Sequence, residues 1–476
     1  RRMNRRYAKS VRLVSSVLSI LLLPPVTVSH ATEATPPQDE AVMKRDDLEE
    51  SVAQPGPGLA HEIGPVRLEA HGQSTFIRQL KPSFPAEYSG PNSLLPDRAW
   101  SRSCTATLFL GARIGDTTEI YYNPEAASGV PFSDLHGLAG FSNAELARTS
   151  GPNLAFYNAR AFLRQTFNLN GQMEDEESEQ NQVQTRYASE RIVLTLGTIS
   201  VLDLFDAVDY SRDPRTQFLN WSSITYGAWD FPADARGYTS GVALEYITPR
   251  YALRAGRFMV PKESNGLPLD TRIFKYYGDV AELDVPYRWR GRDGVFRLLG
   301  FRNYANMGNY NEAIALGLAT RTVPSVAAVR RPQDKYGFGV GVQQEIMKRV
   351  GAYVRVGWNN GLTETYAFTE IDRSFSTGVL VNGGLWGRDR DTVGAAVYVN
   401  GLSGPHRTYL ELGGLGFFLG DGKLNYGTEN IFETYYSWNL LPRLWVSFNY
   451  QHVWNPGYNR DRGPVDFYGI RLHTDF

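Results

Sequence analysis

The chain has 476 residues, with 49 Lys and Arg against 50 Asp and Glu, for a formal net charge of −1. That balance excludes a strongly basic nucleic-acid binder, and a mean hydropathy of −0.34 excludes a bundle of membrane-spanning helices. The single cysteine, Cys104, excludes an internal disulfide and any multi-cysteine metal site, while 27 Tyr, 24 Phe, 9 Trp and 46 Gly suit a strand-rich exported protein.

Arg1, Arg2, Arg5, Arg6, Lys9 and Arg12 precede an apolar run from Leu13 to Leu23, then Pro24, Pro25 and the small-residue end Ser29-His30-Ala31. Basic start, short apolar core and small-x-small end predict a signal peptide over residues 1–31. Residues 32–65 are polar, acidic and Pro-rich, and read as a short flexible periplasmic linker. A weakly amphipathic stretch over Asp39–Gln54 is given no function.

From Val66 to the end the dominant period is two. Phe338, Val340 and Val342 alternate with Gly337, Gly339 and Gly341. Ala352, Val354, Val356 and Trp358 alternate with Tyr353, Arg355 and Gly357. Alternation places one set on each face of a strand. The apolar sets often end in Tyr or Trp, as aromatic girdles do at the two bilayer interfaces, and the opposite sets are too polar for a second buried layer but suit a water-filled lumen. Connections alternate in length: Glu345–Arg349 is short, Asn359–Asp372 long and polar. Val201–Arg236 is the longest connection without strand pattern. The last strand puts Tyr468, Ile470, Leu472, Thr474 and Phe476 on one face and Gly469, Arg471, His473 and Asp475 on the other, ending on Phe at the carboxylate. These features predict an all-β fold, a transmembrane antiparallel β-barrel over residues 66–476, with no second domain. A closed barrel is the strand arrangement that satisfies every backbone group in lipid.

Several segments, in order, carry a family resemblance. They are Tyr157-Asn158-Ala159-Arg160-Ala161-Phe162-Leu163-Arg164-Gln165-Thr166-Phe167, Asp203-Leu204-Phe205-Asp206, Asp213-Pro214-Arg215-Thr216-Gln217-Phe218-Leu219-Asn220-Trp221, Arg236-Gly237-Tyr238 and Pro261-Lys262-Glu263-Ser264-Asn265-Gly266. Toward the C-terminus come Asp389-Arg390-Asp391-Thr392-Val393-Gly394, Asn400-Gly401-Leu402-Ser403, Gly413-Gly414-Leu415-Gly416-Phe417, Gly420-Asp421-Gly422, then Glu429, Glu433, and Asn455-Pro456-Gly457-Tyr458-Asn459-Arg460-Asp461-Arg462. Together they resemble the carbohydrate-selective porin (OprB-type) family of Gram-negative outer membranes, over roughly Val66 to Phe476. The resemblance implies a barrel of about sixteen strands around an aqueous channel. It also implies passive, sugar-selective diffusion into the periplasm, without a cofactor. Residues 32–65 and Met173–Gln182 lie outside it.

A pore that selects sugars must bind weakly enough to release. Arg donates paired hydrogen bonds to neighbouring hydroxyls, carboxylates accept from them, and aromatic rings stack on C–H faces. The candidates on polar strand faces are Arg160, Arg164, Glu245, Arg254, Tyr353, Arg355, Tyr398 and Glu433. Each has an alternative reading as generic lumen polarity bracing the wall. Asp203, Asp206, Asp213, Arg215, Trp221, Trp229 and Asp230 are candidates on a loop that either folds inward to narrow the pore or covers the outer rim.

No metal spacing, nucleophile elbow or glycosidase dyad stands out; Gly420-Asp421-Gly422 reads as a tight hairpin rather than a calcium loop. Competing functions are a general or ion-selective porin, a barrel enzyme (for which His473 lacks a convincing nucleophile), and a structural barrel with a plugged lumen. Expected partners are mono- or oligosaccharides, outer-membrane lipid, and the barrel-assembly machinery through the Phe476 strand.

Overall fold

The computed structural model describes residues 58–476 except Ser150, Phe368 and Thr369. The expected signal peptide and residues 32–57 of the expected linker lie outside the described residues.

Among the described residues seventeen strands run in chain order: β1 (Leu59–Ile63), β2 (Val66–Lys81), β3 (Ala99–Ile114), β4 (Thr118–Val130), β5 (Ala155–Glu176), β6 (Thr185–Ile199), β7 (Thr239–Ile247), β8 (Ala252–Phe258) and β9 (Tyr277–Trp289). Then follow β10 (Arg292–Met307), β11 (Arg331–Met347), β12 (Val350–Asn359), β13 (Arg373–Asn382), β14 (Thr392–Gly401), β15 (Glu429–Leu441), β16 (Leu444–Trp454) and β17 (Val465–Asp475). Among the described residues the α-helices are α1 (Tyr310–Thr320) and α2 (Gly404–Glu411), both in long connections. Each strand from β2 to β17 pairs antiparallel with its sequence neighbours, and β17 pairs with β2, so sixteen strands close on themselves.

The seam has an additional strand. β17 covers Gln73–Leu80 of β2, and β1 covers Val66–Ala70 of the same strand. β3 fills the other edge of β2, so β1 and β17 lie end to end along one edge. Phe476 and Gly72 exchange backbone hydrogen bonds of 2.9 and 3.0 Å where β17 runs out. The last residues of the expected linker, Leu59–Ile63, are thus paired as a strand.

Strand faces follow the alternation. On β17, Tyr468, Ile470 and Leu472 are exposed on the outside, whereas Gly469, Arg471 and His473 are buried inside. On β12, Val354 and Val356 face out and Tyr353 and Arg355 face in. The outward set forms an apolar belt, and no described helix is long and apolar enough to cross a membrane. Turns at one rim are short, such as Lys348-Arg349, where Arg349 takes a positive φ of 70°. Connections at the other rim are long, the porin pattern in which short turns face the periplasm.

Two long connections do not stay at the rim. Residues 131–149 and 200–238 fold into the barrel. Phe141, Trp221, Tyr226, Trp229 and Phe231 there form one core with inward wall residues Tyr121, Phe162, Phe258 and Phe301. Much of the lumen is therefore packed side chain rather than water. Gly339 and Gly341 face the Tyr226 ring, and a Cβ on Gly339 would lie 2.6 Å from it. These inward glycines make room for the loop. Gly420-Asp421-Gly422 belongs to the connection between α2 and β15 rather than to a hairpin, and Asp421 accepts from Asn459 at 2.9 Å.

Candidate functional site

A backbone folded into a barrel must find partners for its own N–H and C=O groups away from water. The wall supplies them from charged side chains. Glu433 on β15 accepts from Leu219 N–H at 2.6 Å and Asn220 N–H at 3.2 Å, and also from Asn449 and Tyr398. Glu429, two strand repeats away, accepts from Ala139, Gly140 and Gly457 N–H. Arg355 on β12 donates to the Ser223 and Ser211 carbonyls at 2.9 and 2.6 Å and pairs with Asp206 at 3.0 Å. Arg471 on β17 donates to the carbonyls of Pro214, Thr216 and Gln217. Carboxylates take the loop's donors and guanidinium groups take its acceptors.

The loop carries charges of its own. Arg215 pairs with Glu125 on β4 and Glu145 at 2.9 Å each, and donates to Thr107. Asp213 accepts from Arg215 N–H and the Thr216 hydroxyl, fixing that turn. Asp206 also accepts from Thr225. Asp230 accepts from Tyr366 and Ala367 N–H at 2.8 Å and lies 3.3 Å from Lys335. Trp221 stacks on Phe231, and Trp229 meets Phe205 and Phe231 edge-on. Both tryptophans are core, not surface.

A second set of inward charges keeps contact with solvent. Arg160 on β5 grips Asp203 with two hydrogen bonds of 2.7 Å, and their side chains remain 12% and 30% exposed. Arg254 on β8 pairs with Glu245, Glu282 and Asp284 at 2.8, 3.3 and 2.7 Å, and is 14% exposed. Arg148, from residues 131–149, donates to the Tyr238 hydroxyl. The Arg148 and Arg160 guanidinium groups lie 5.4 and 5.3 Å from the Tyr238 ring centroid, and Arg236 lies 4.3 Å from that of Tyr157. Three cations and two phenol rings thus gather between β5 and the end of the in-folded loop.

Arg164 is held differently. It meets Glu119 and Tyr121 at 3.3 and 3.4 Å, and reaches the Asn181 carbonyl and the Gln182 side chain at the tip of the β5–β6 hairpin. That tip tucks inside, with Val183 against Gly111 and Tyr121. The acidic Met173–Gln182 stretch is therefore the end of a hairpin whose tip packs on inner wall residues.

Of the eight strand candidates, Arg160, Glu245 and Arg254 border the solvated charged set, and Arg164 reaches the tucked hairpin tip. Tyr353, Arg355, Tyr398 and Glu433 are sealed, with at most 1% exposure. They face the in-folded loop rather than open water. All seven loop candidates lie on the segment that folds inward. Sequence reasoning passed over Glu119, Glu125, Glu145, Arg148, Glu282, Asp284 and Arg471. Glu282 and Asp284 are two apart on one strand face, a signal that was available. Glu145 and Arg148 sit in a connection whose inward path no periodicity marks.

Residues 103–476 match the carbohydrate-selective porin, OprB family. The fold is similar to the high-pH structure of Pseudomonas putida OprB at 15% identity and a TM-score of 0.62, covering 86% of this chain and 94% of that one. The outer membrane channel DcaP of Acinetobacter baumannii aligns at 9% identity and a TM-score of 0.46, over 88% of this chain and 99% of that one. OmpT of Vibrio cholerae aligns at 11% and 0.44, over 88% and 100%. No curated protein matches the sequence. The structural likeness speaks for the fold, and the sequence match spans most of the barrel. The chain belongs to the OprB family of carbohydrate-selective porins, sugar-selective channels of the Gram-negative outer membrane.

Proposed function

We propose that neutral sugars cross this porin by passive diffusion along the solvated charged face between the in-folded loop and strands β5, β7 and β8. The observation that carries this is the grouping of Arg148, Arg160 and Arg236 around Tyr157 and Tyr238, next to Asp203. Guanidinium groups donate to vicinal hydroxyls, the carboxylate accepts, and phenol rings offer faces to C–H surfaces. Cations and anions are paired across the gap, which favours a neutral solute over an ion of either sign. Residues 200–238 act as the constriction, braced by Arg355 and Glu433. The apolar belt sits in outer-membrane lipid, and the Phe476 strand carries the signal for the barrel-assembly machinery.

Liposome swelling with refolded protein tests the reading. Glucose and a disaccharide should permeate faster than a size-matched neutral amino acid, and a charged sugar acid should lag. Rates that follow size alone would make the protein a general porin. Absence of swelling by folded, inserted protein would favour a plugged barrel.

A further inference from the structure

The outer wall carries arginines that the sugar path does not use. Arg257 and Arg302 face outward on β8 and β10, and each has its carboxylate: Asp279 at 2.7 Å and Asp334 at 2.7 Å. Both guanidinium groups are thus paired on the lipid side. Two other outward arginines are not. Arg78 on β2 and Arg102 on β3 are directly opposite in the register, both on the outer face and both exposed. Their next cross-strand neighbours are Ile470 on β17 and Val130 on β4. Arg98 stands just before β3. The guanidinium carbons of Arg78 and Arg98 lie 4.6 and 5.9 Å from the Trp100 ring centroid. Among the described residues none of the three arginine side chains has a hydrogen bond or an ion pair.

Like charges directly opposite on a strand pair destabilise it, and a bound anion relieves that repulsion. The cluster therefore calls for negative charge from outside the chain. Its position says where that charge lies. Trp100 and Arg102 begin β3 and Arg78 is near the end of β2, so the cluster stands at the long-connection rim, the outer side. Tyr468, opposite Leu80, and Tyr450 mark the interfacial girdle beside it. We propose that Arg78, Arg98 and Arg102, grouped round Trp100, bind the phosphorylated sugar headgroup of an outer-leaflet glycolipid. Planar guanidinium forks match phosphate oxygens in pairs, and the half-exposed Trp100 ring offers a face to a sugar ring.

The test is native mass spectrometry of the whole porin released from detergent, titrated with three probes. These are a bis-phosphorylated acylated glucosamine disaccharide, its dephosphorylated form, and phosphatidylglycerol. The phosphorylated disaccharide should be retained and the dephosphorylated form lost. Phosphatidylglycerol should bind more weakly. Arg78→Gln with Arg102→Gln should weaken retention about tenfold. Heat-modifiable electrophoretic mobility and sugar swelling should stay unchanged, because neither side chain faces the lumen. Should the double variant misfold, Arg98→Gln, outside the strands, should weaken retention as well. Equal retention by wild type and variants overturns the site. Equal binding of phosphatidylglycerol and the disaccharide overturns the glycolipid assignment.

Discussion

Arg355 and Arg160 are both inward arginines on barrel strands, and their surroundings give them different work. Arg355 is sealed, with two loop carbonyls and Asp206 as partners. Removing its head group leaves a buried carboxylate unpaired and two acceptors unmet. Arg355→Ala should therefore cost about 3 kcal/mol of loop docking. The result expected is larger and noisier single-channel conductance, with faster amide exchange over residues 206–223. Arg355→Lys should rescue little, because an ammonium cannot reproduce the fork. Arg160 holds Asp203 but keeps solvent contact. Arg160→Ala should leave the barrel folded while narrowing the swelling-rate difference between glucose and the size-matched amino acid. Unchanged selectivity would remove Arg160 from the sugar path.

The in-folded connection is fixed by space as well as by charge. A Cβ on Gly351 of β12 would lie 2.1 Å from the Tyr210 ring, although Gly351 itself sits in regular pairing with Leu380. Gly351→Ala should keep the strand and displace Tyr210, at about 1–3 kcal/mol, typical of overpacking. Exchange at residues 205–215 would report it. At the outer rim, Asp372 meets His406 of α2 at 2.9 Å and accepts from Ser403 N–H. Burial pushes the Asp372 carboxyl up, but His406, its hydrogen bond, Lys335 and the Ser403 N–H outweigh burial and hold the carboxyl at about 2. The unfolded value is about 3.9. The folded value is the lower one, so the contribution is present above pH ~4 and lost as pH falls toward ~2. That amounts to about 3 kcal/mol. Proteolysis at α2 should rise over that window, and His406→Ala, which raises the folded value toward the unfolded one, should shrink that rise.

Closure of the molecule rests on one short seam. Phe476 exchanges two backbone bonds with Gly72, and its ring lies where a Gly72 side chain would be. Deleting Phe476 exposes the end of that seam at the junction with β1. Folding into liposomes, followed by heat-modifiable mobility, should slow, while any barrel that forms should keep its sugar selectivity. An unchanged folding rate would show that the pairing of Tyr468–Asp475 with β2 secures the seam without Phe476.

Strand faces, rim polarity and barrel closure were legible in the order of residues. A lipid-facing strand must alternate, its turns must be short on one side, and these constraints act over a few residues. Hence Arg355 and Arg160 were placed on inner faces by alternation together with the cost of an arginine in lipid. Alternation carries no information about height in the pore, nor about where a long connection goes. Glu433 became a loop anchor because Leu219 and Asn220, more than two hundred residues away, bring bare N–H groups to it. Gly339 and Gly341 read as polar lumen and are instead the floor beneath Tyr226. The need to satisfy an in-folded backbone without water settled which inward charges brace the loop and which stay open to solvent, and that need arises only when distant segments meet inside the closed wall.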